Sequence, residues 1–369
     1  MTALEEEVDD LSKGYIGRIP VRNLWLLMLY ASDLFRTCDL GKVGLEETPD
    51  DLPDLIAEIL ANAVEKRQRR HLSLSYQTRE SVLTRVRGKI DLLKTQRHQL
   101  LTRGLIACRY EELTINTPRN RFVRAALESI SRVVKRRELA HRCRFIASGL
   151  KAMGVSGEAP LWAEISNIRF GRHDSEDQVM VAAAKLAFDL ALPTEDEGEN
   201  LLTLPDREVR WIRRLFERSV GGFYDVILRS QGWQVDCGKQ LDWQIENRTD
   251  GIKKILPTMR TDIILSHHKL KKRIVIDTKF TSILSSGWYR EETLRSGYIY
   301  QIYAYLRSQV GQTSDVLAEN ASGLLLHPSI GNSIDEAVTI QGHKIRFATV
   351  DLAASTAEIR AQLIKYAIN

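Results

Sequence analysis

Hydrophobic residues recur every three or four positions in several segments of the N-terminal half, as they do in amphipathic helices. The apolar run over 24–35 predicts a buried helix, and a second helix is predicted over 52–68. Thr117 followed by Pro118 predicts the start of a third, because threonine caps a helix N-terminus and proline fits its first position.

Apolar and polar residues alternate in other stretches of the same half, which is the pattern of half-buried strands. The alternation covers residues 72–76 and 85–91, and residues 105–115 contain further strand-like stretches. The N-terminal half is thus predicted to mix helices and strands.

A polar, acidic segment over 192–200 contains proline and glycine and is the best candidate for a linker. A helix is predicted from about residue 206, although Gly221 and Gly222 inside it weaken the helical pattern. Beyond it, four strands are predicted, with a helix between the second and the third. These strands cover 261–266, 273–280, 323–327 and 344–350.

We therefore expect an α/β protein of two domains. Residues 1–195 form a domain of mixed α and β structure, and residues 196–369 form a domain with one central mixed sheet flanked by helices. The length of 369 residues agrees with this division, because it is too large for one ordinary core.

The charge of the chain permits nucleic acid as a partner without demonstrating it. The net charge is +5, and basic clusters lie at 66–70, 135–144 and 269–273. A run of charge usually forms a solvated surface, so that alternative stays open for each cluster.

The chain carries no pattern typical of export or membrane insertion. Its acidic N-terminus lacks a secretory signal, and the apolar stretch 24–30 is shorter than the roughly 20 residues of a membrane span. The four cysteines are far apart and include no C-x-x-C pair, so neither a zinc site nor a disulfide framework is indicated. We expect a cytoplasmic protein with no membrane partner.

Candidate chemistry lies on two adjacent predicted strands. Asp262 begins one of them, and Asp277 and Lys279 end the next and share one face of it. Cutting a phosphodiester requires a divalent cation that neutralises the phosphate and activates water, and a lysine can stabilise the developing charge. The alternative is a salt bridge at the end of a strand.

Asp262 on the neighbouring strand and a pair of residues on the following helix favour a nuclease site over a salt bridge. Gln301 and Tyr305 form a Q-x-x-x-Y pair on one face of the following helix. Glu217, on the helix before the sheet, is a weaker candidate, because an exposed glutamate needs no functional explanation. The order of aspartate, D-x-K and Q-x-x-x-Y resembles the RecB-like branch of the PD-(D/E)xK nucleases.

A set of motifs spread over nearly the whole chain carries a narrower resemblance. They are Ile19-Pro20-Val21-Arg22-Asn23, Val86-Arg87-Gly88-Lys89-Ile90, Glu112-Leu113, Asn116-Thr117, Asn120-Arg121, Arg260-Thr261-Asp262-Ile263, Val275-Ile276-Asp277-Thr278-Lys279 and Tyr300-Gln301-Ile302-Tyr303-Ala304-Tyr305. In this order and at these separations they are similar to the McrC subunit family of modification-dependent restriction systems. Thr261-Asp262 stands where the name of the nuclease class has Pro-Asp, a proline that many members lack.

The resemblance implies an endonuclease subunit. Its C-terminal PD-(D/E)xK domain would cut double-stranded DNA with Mg²⁺, for which Mn²⁺ can substitute. Its N-terminal domain would dock into a hexameric, McrB-like AAA+ GTPase that recognises modified cytosine, and would stimulate that partner's hydrolysis. The implied catalytic residues are Asp262, Asp277, Lys279 and Gln301. The candidate metal ligands are Asp262, Asp277, Thr278 and Glu217. The candidate partner contacts are Arg87, Lys89 and Arg119.

Two other functions remain open. One is a regulatory subunit that stimulates an AAA+ partner while its nuclease fold is inactive. The other is a stand-alone DNA-repair nuclease, which is disfavoured because the sequence has no GxxxxGK[ST] phosphate loop and no recognisable DNA-reading module.

Overall fold

A computed structural model describes residues 19–37, 51–160, 164–165, 170, 174–195, 205–285, 293–311, 317–331 and 333–368, and the statements below concern these residues. The chain divides into two compact units. The inserted unit is Pro53–Thr194, and the terminal unit combines Met1–Leu52 with Glu195–Asn369. The inserted unit ends at Thr194, and residues up to 52 group with the C-terminal half and not with the residues that follow them.

The first described helices belong to the terminal unit and are α1 (Val21–Ala31) and α2 (Asp33–Thr37). The sequence predicted one helix over 24–35, and Ser32 divides it. Its backbone is extended, its hydroxyl donates to the carbonyl of Leu29 at 2.6 Å, and it accepts from the amide of Phe35 at 3.1 Å. The serine thus ends one helix and caps the next.

The inserted unit places a small sheet among helices. Its elements are α3 (Leu52–Arg70), β1 (Ser75–Leu83), β2 (Lys89–Ile90), α4 (Leu92–Arg97), a 3₁₀ turn (Leu100–Arg103), β3 (Ile106–Thr114), α5 (Pro118–Ile130), α6 (Arg137–Ala152) and α7 (Ser175–Glu195). The strands are antiparallel in the order β1-β3-β2. Thr117 caps α5 as predicted, accepting from the amide of Asn120 at 3.1 Å.

The first strand was predicted too early, over 72–76. It runs over Ser75–Leu83, and most of its side chains are exposed on both faces of the sheet. A strand without a buried face carries no apolar alternation, so the pattern could not locate it.

A buried aspartate ties three elements of the inserted unit together. Asp177, in α7, is fully buried and accepts a hydrogen bond from Arg67 Nε at 2.5 Å. Ser73 Oγ and Arg119 Nη1 donate to its other carboxylate oxygen. Burial raises the pKa of Asp177, but the hydrogen bonds from Arg67 and Ser73 and the charges of both arginines outweigh it, so the pKa lies below its usual value.

The remainder of the terminal unit is built on a mixed sheet. Its elements are α8 (Pro205–Arg229), β4 (Gln234–Cys237), β5 (Gln240–Leu241), a 3₁₀ turn (Asp250–Lys254), β6 (Met259–Arg260), β7 (Ile263–His267), β8 (Lys272–Thr278), β9 (Leu284–Ser285), β10 (Thr293–Leu294), α9 (Ser296–Arg307), β11 (Ser322–Ser329), β12 (Asp335–Ile340), β13 (His343–Asp351) and α10 (Thr356–Ile368). The main sheet has the order β12-β13-β11-β8-β7-β4, in which β11 is parallel to β8 and β13 and the other pairs are antiparallel. The predicted mixed sheet with helices is confirmed.

One face of this sheet is covered by α9. Ile302 and Leu306 of that helix pack with Ile264, Val275 and Leu325 of the central strands in one buried cluster. The pattern that predicted strands over 261–266 and 273–280 reflects this burial.

The glycine pair in α8 leaves the helix continuous and serves close packing instead. A Cβ on Gly222 would lie 2.0 Å from the carbonyl oxygen of Tyr30, and one on Gly221 would lie 2.7 Å from Cys237 Sγ. Asn23 further ties α1 to the C-terminal part, donating to the carbonyl of Leu352 at 2.7 Å. These contacts are the physical reason why residues before 52 belong to the terminal unit. None of the described helices is both long and apolar enough to cross a membrane.

Candidate active site

The antiparallel pairing of β7 with β8 brings the two predicted aspartates together. Ile263 pairs with Ile276, and one step further along the same register Asp262 stands opposite Asp277. Residues opposite each other on antiparallel strands project to the same face of the sheet. Both carboxylates therefore lie at the end of the ladder, on the face covered by α9.

Asp277 is completely buried, and its described cationic partner is Lys279. The ammonium nitrogen lies 3.1 Å from Oδ1 and 2.9 Å from Oδ2. Burial raises the pKa of Asp277 to about 6, with further contributions from the charges of Asp262 and Glu217, although Lys279 acts in the opposite direction. A buried acid with this pKa is incompletely neutralised by its surroundings.

Asp262 is oriented by the residue that follows Asp277. Its Oδ2 accepts hydrogen bonds from the backbone amide of Thr278 at 2.7 Å and from its hydroxyl at 2.8 Å. The hydroxyl of Thr278, one of the predicted metal ligands, is thus committed to positioning Asp262.

Lys279 lies between an acid and an aromatic ring. Its Nζ is 5.3 Å from the centroid of the Tyr298 ring, within the range of a cation–π contact. Burial lowers the pKa of Lys279, but Asp277 and Asp262 raise it by more, so that it stays above its usual value. The side chain is therefore charged at neutral pH.

Glu217 lies on α8 in the electrostatic field of the same site. Burial raises its pKa, and Asp262 raises it further, while Arg260 and Lys279 lower it. A helix that packs beside the sheet thus adds a third acid to the neighbourhood of the two aspartates.

Gln301 and Tyr305 act on the site through the backbone. Gln301 Nε2 donates to the hydroxyl of Tyr305 at 2.7 Å, and that hydroxyl donates to the carbonyl of Arg260 at 2.9 Å. Arg260 stands two residues before Asp262, so the pair holds the segment that carries this aspartate. Gln301, predicted as catalytic, is connected to the site through Tyr305.

The carboxylates of Asp262 and Asp277 fit a divalent cation that prefers oxygen ligands. Mg²⁺ is held by one or two carboxylates and keeps several waters, and Asp262 and Asp277 supply two. Among the described residues, the buried Oδ2 of Asp277 has no hydrogen-bond partner beyond the ion pair with Lys279. The described residues contain no group of three or more His, Cys, Asp or Glu that could enclose a metal, so Glu217 does not complete such a group with the aspartates.

The three residues predicted to contact a partner differ in their surroundings. Arg87 is exposed, stacks 4.1 Å from the centroid of Tyr110 and lies 3.5 Å from Glu112; Lys89 is exposed on β2. Arg119 is only 14% exposed and pairs with Asp177. That pairing gives Arg119 a structural task within its own unit, and its contact with a partner stays a prediction.

The sequence analysis missed one residue beside the site. His327, in β11, is 1% exposed, and its Nδ1 lies 2.9 Å from the carbonyl oxygen of Thr281. Burial lowers the pKa of His327 to about 4, and the charge of Lys279 also lowers it. The hydrogen bond to Thr281 acts in the opposite direction. A histidine directly after Leu324–Leu326 in a buried strand is a signal that could have identified it.

Comparison with known proteins places the chain in a family. A family model described as McrBC 5-methylcytosine restriction system component matches residues 4–318. The chain belongs to this family. The resemblance to McrC drawn from the motifs is thereby confirmed.

Two individual proteins illustrate the similarity. The type IV methyl-directed restriction enzyme EcoKMcrBC of Escherichia coli (strain K12) is 24% identical over 349 residues, which cover 94% of this chain and 96% of that protein. The solved McrB AAA+ hexamers with bound McrC from Thermococcus gammatolerans include a chain that is 15% identical. That match has a TM-score of 0.38 and covers 85% of this chain and 68% of the other.

Proposed function

We propose that this chain is the DNA-cleaving subunit of a modification-dependent restriction complex. The observation that carries the proposal is the pair Asp262 and Asp277, opposed at the end of one strand ladder with Lys279 beside them. A purely structural arrangement would neutralise a buried acid, whereas Asp277 has a pKa raised to about 6. Membership of a restriction-system family supports the same conclusion.

The residues have separate tasks in phosphodiester hydrolysis. Asp262 and Asp277 would hold the cation, and Thr278 keeps Asp262 oriented. A bound Mg²⁺ or Mn²⁺ supplies charge neutralisation at the phosphate and lowers the pKa of a water molecule. Lys279, which stays protonated, stabilises the negative charge that develops on the phosphate.

The proposed partner is a hexameric AAA+ GTPase, and the proposed substrate is double-stranded DNA with modified cytosine. A subunit with a net charge of only +5 lacks the concentrated positive charge on which tight, independent DNA binding draws. The partner would therefore supply most of the DNA affinity, while this chain stimulates its hydrolysis and cuts.

The inserted unit is the proposed docking element. Tyr76 and Leu113 are cross-strand neighbours on its sheet, with exposed fractions of 69% and 52%, and Arg87 and Lys89 add exposed positive charge. Apolar side chains exposed on a sheet favour a protein interface. Replacing both Tyr76 and Leu113 by Glu in the full chain should abolish capture of the AAA+ partner without lowering the melting temperature of the terminal unit.

The experiment that tests catalysis uses the complete complex with methylated plasmid DNA. Asp277→Ala and Lys279→Ala should each lower the cleavage rate by at least about 100-fold, since each removes an interaction with the reacting phosphate or its cation. Excess EDTA should have the same effect. Nucleotide hydrolysis by the partner stays near normal, and the exposed Asp250→Ala serves as the matched control. Undiminished cleavage by Asp277→Ala would refute the site.

A second candidate is a regulatory subunit with a silent nuclease fold. The ion pair between Lys279 and the completely buried Asp277 favours it, because an ion pair at the end of a strand requires no metal. In that case the wild-type complex would hydrolyse nucleotide but leave plasmid DNA intact in Mg²⁺ and in Mn²⁺.

A further inference from the structure

His327 and Lys279 are neighbours across the parallel pair β8 and β11. Leu325 pairs with Asp277 and Leu326 with Thr278, and the same register continued by one residue places His327 beside Lys279. The amide of Lys279 donates to the carbonyl of Leu326 at 3.0 Å, which extends the pairing to this point. Because side chains alternate along a strand, His327 projects to the same face as Lys279 and Asp277.

Tyr298 connects these two side chains. It lies in the first turn of α9, half-buried, with its ring centroid 5.3 Å from Lys279 Nζ and 5.8 Å from the imidazole centroid of His327. The face of one phenol ring thus contacts the ammonium group, and the same ring rests against the imidazole.

The hydrogen bond of His327 defines its protonation. Because the carbonyl of Thr281 can only accept, Nδ1 carries the proton in this contact. The imidazole is buried beside the positive charge of Lys279, so it is neutral and Nε2 is unprotonated. His327 therefore holds the backbone two residues beyond Lys279 without repelling its charge.

We propose that Tyr298 and His327 are positioning residues for Lys279. Asp277 fixes the ammonium group electrostatically, the ring of Tyr298 fixes it through a cation–π contact, and His327 holds both that ring and the backbone at Thr281. This role requires no contact of either residue with the reacting phosphate. The inference rests on the proposed function only in assigning Lys279 a task at the phosphate.

The ring of Tyr298 is needed because Asp277 would interact both with Lys279 and with a bound cation. A divalent cation held by Asp277 would weaken the attraction of that carboxylate for the ammonium group of Lys279. Lysine has many rotamers, and an uncharged aromatic face is then the contact that limits them. Tyr298 keeps Lys279 in place under the conditions in which it acts.

Two substitutions at Tyr298 test this role in the full-length chain assembled with its AAA+ partner. Tyr298→Leu keeps apolar volume but removes the ring, and it should lower kcat by about 2- to 30-fold, the range that a cation–π contact accounts for. The KM for DNA should not change, because in the proposed role Tyr298 acts on Lys279 and not on the substrate. Tyr298→Phe keeps the ring and should retain most of the rate.

A spectroscopic measurement follows the lysine independently of cleavage. In protein with ¹³C-labelled lysine ε-carbons, the Lys279 signal should be shifted upfield by the ring of Tyr298, and Lys279→Met identifies that signal by its loss. The shift should disappear in Tyr298→Leu and persist in Tyr298→Phe.

His327 has its own pair of variants. His327→Asn places an amide N–H near the position of Nδ1 and keeps the bond to Thr281, whereas His327→Leu removes it. We expect His327→Leu to lower kcat and to weaken the upfield shift of Lys279 more than His327→Asn does. If both variants had the kcat and the Lys279 shift of the wild type, His327 would have no positioning role.

The outcomes distinguish failure of the proposed cleavage from failure of the positioning role of Tyr298. If the wild-type complex does not cleave DNA, the proposed function fails, whatever the lysine signal shows. If the wild type cleaves and Tyr298→Leu cleaves equally fast although the Lys279 signal has moved, the positioning role is overturned. A drop in kcat for Tyr298→Leu with recovery in Tyr298→Phe supports it.

Discussion

Two buried aspartates, one in each unit, differ in how their charge is balanced. Asp177 is surrounded by Arg67, Arg119 and Ser73, and these donors keep its pKa below the usual value. Asp277 is equally inaccessible, yet its described cationic partner is Lys279 alone, and its pKa is raised to about 6.

The contrast is the one expected between an acid that stabilises the fold and the metal-binding acid proposed above. An aspartate that joins elements of a fold is stable only when its charge is fully compensated. An aspartate that binds a cation must keep part of its negative charge unbalanced by the protein. A second acid nearby, here Asp262, raises its pKa further. Both side chains are inaccessible to solvent, and the number of donors around them differs.

The largest expected effect concerns the structural acid. Asp177→Ala should destabilise the inserted unit by about 3 to 5 kcal/mol, because it leaves Arg67 and Arg119 without their partner in a nearly buried position. Thermal unfolding would show this as a fall in melting temperature. Asp277→Ala, measured alongside it in EDTA, should leave the melting temperature unchanged or raise it. Destabilisation by Asp277→Ala of the same size would abolish the distinction.

The second effect is a pH dependence of opposite sign at the two acids. The pKa of Asp277 is about 6 in the folded state and 3.8 in the reference state, so the folded state binds the proton more tightly. Its contribution to stability is therefore full below about pH 4, falls between pH 4 and 6 by about 3 kcal/mol, and stays low above that. For Asp177, whose pKa is lowered, the contribution is present above pH 4 and is lost as the pH falls below it.

Denaturant unfolding in EDTA between pH 3 and pH 7 measures both slopes. Asp277→Asn should remove the loss of stability of the terminal unit between pH 4 and 6, and Asp177→Asn should remove the acid-induced loss in the inserted unit. Parallel pH profiles for the two variants would contradict the comparison.

The smallest expected effect concerns Thr278, which holds Asp262. Thr278→Val keeps the shape of the side chain and the backbone donor but removes the hydroxyl bond of 2.8 Å. Affinity for Mg²⁺ should fall about tenfold, as for other residues that orient a metal ligand. Isothermal titration calorimetry with the intact chain measures this, and Thr278→Ser, which restores the hydroxyl, is the control.

The central sheet of the terminal unit could be predicted from the sequence because its strands are buried on at least one face. Apolar runs such as 263–265 and 274–276 reflect that burial directly. The carboxylate pair could be predicted for the same reason, since polar residues at the end of such runs are exceptional. The exposed strand β1 gave no such pattern.

Other features depend on contacts between distant parts of the chain. The pairing of Asp177 with Arg67 joins residues 110 positions apart, and nothing local to either indicates it. Tyr298 and His327 reach Lys279 from a helix and from a neighbouring strand, so their role appears only once the register of β8 and β11 is known.

The close packing of Tyr30 against Gly222 limits where the chain can be divided into fragments that fold. A fragment that ends near residue 195 would carry α1 without the helix that covers it, and one that starts near 200 would leave that surface of α8 bare. Both would expose apolar surface that the whole protein hides, so aggregation is the expected fate of each. Residues 53–194 can instead be exchanged for those of a relative within one continuous chain. If the inserted unit is the docking element proposed above, such an exchange would change the choice of AAA+ partner and would leave the proposed cleavage site in place.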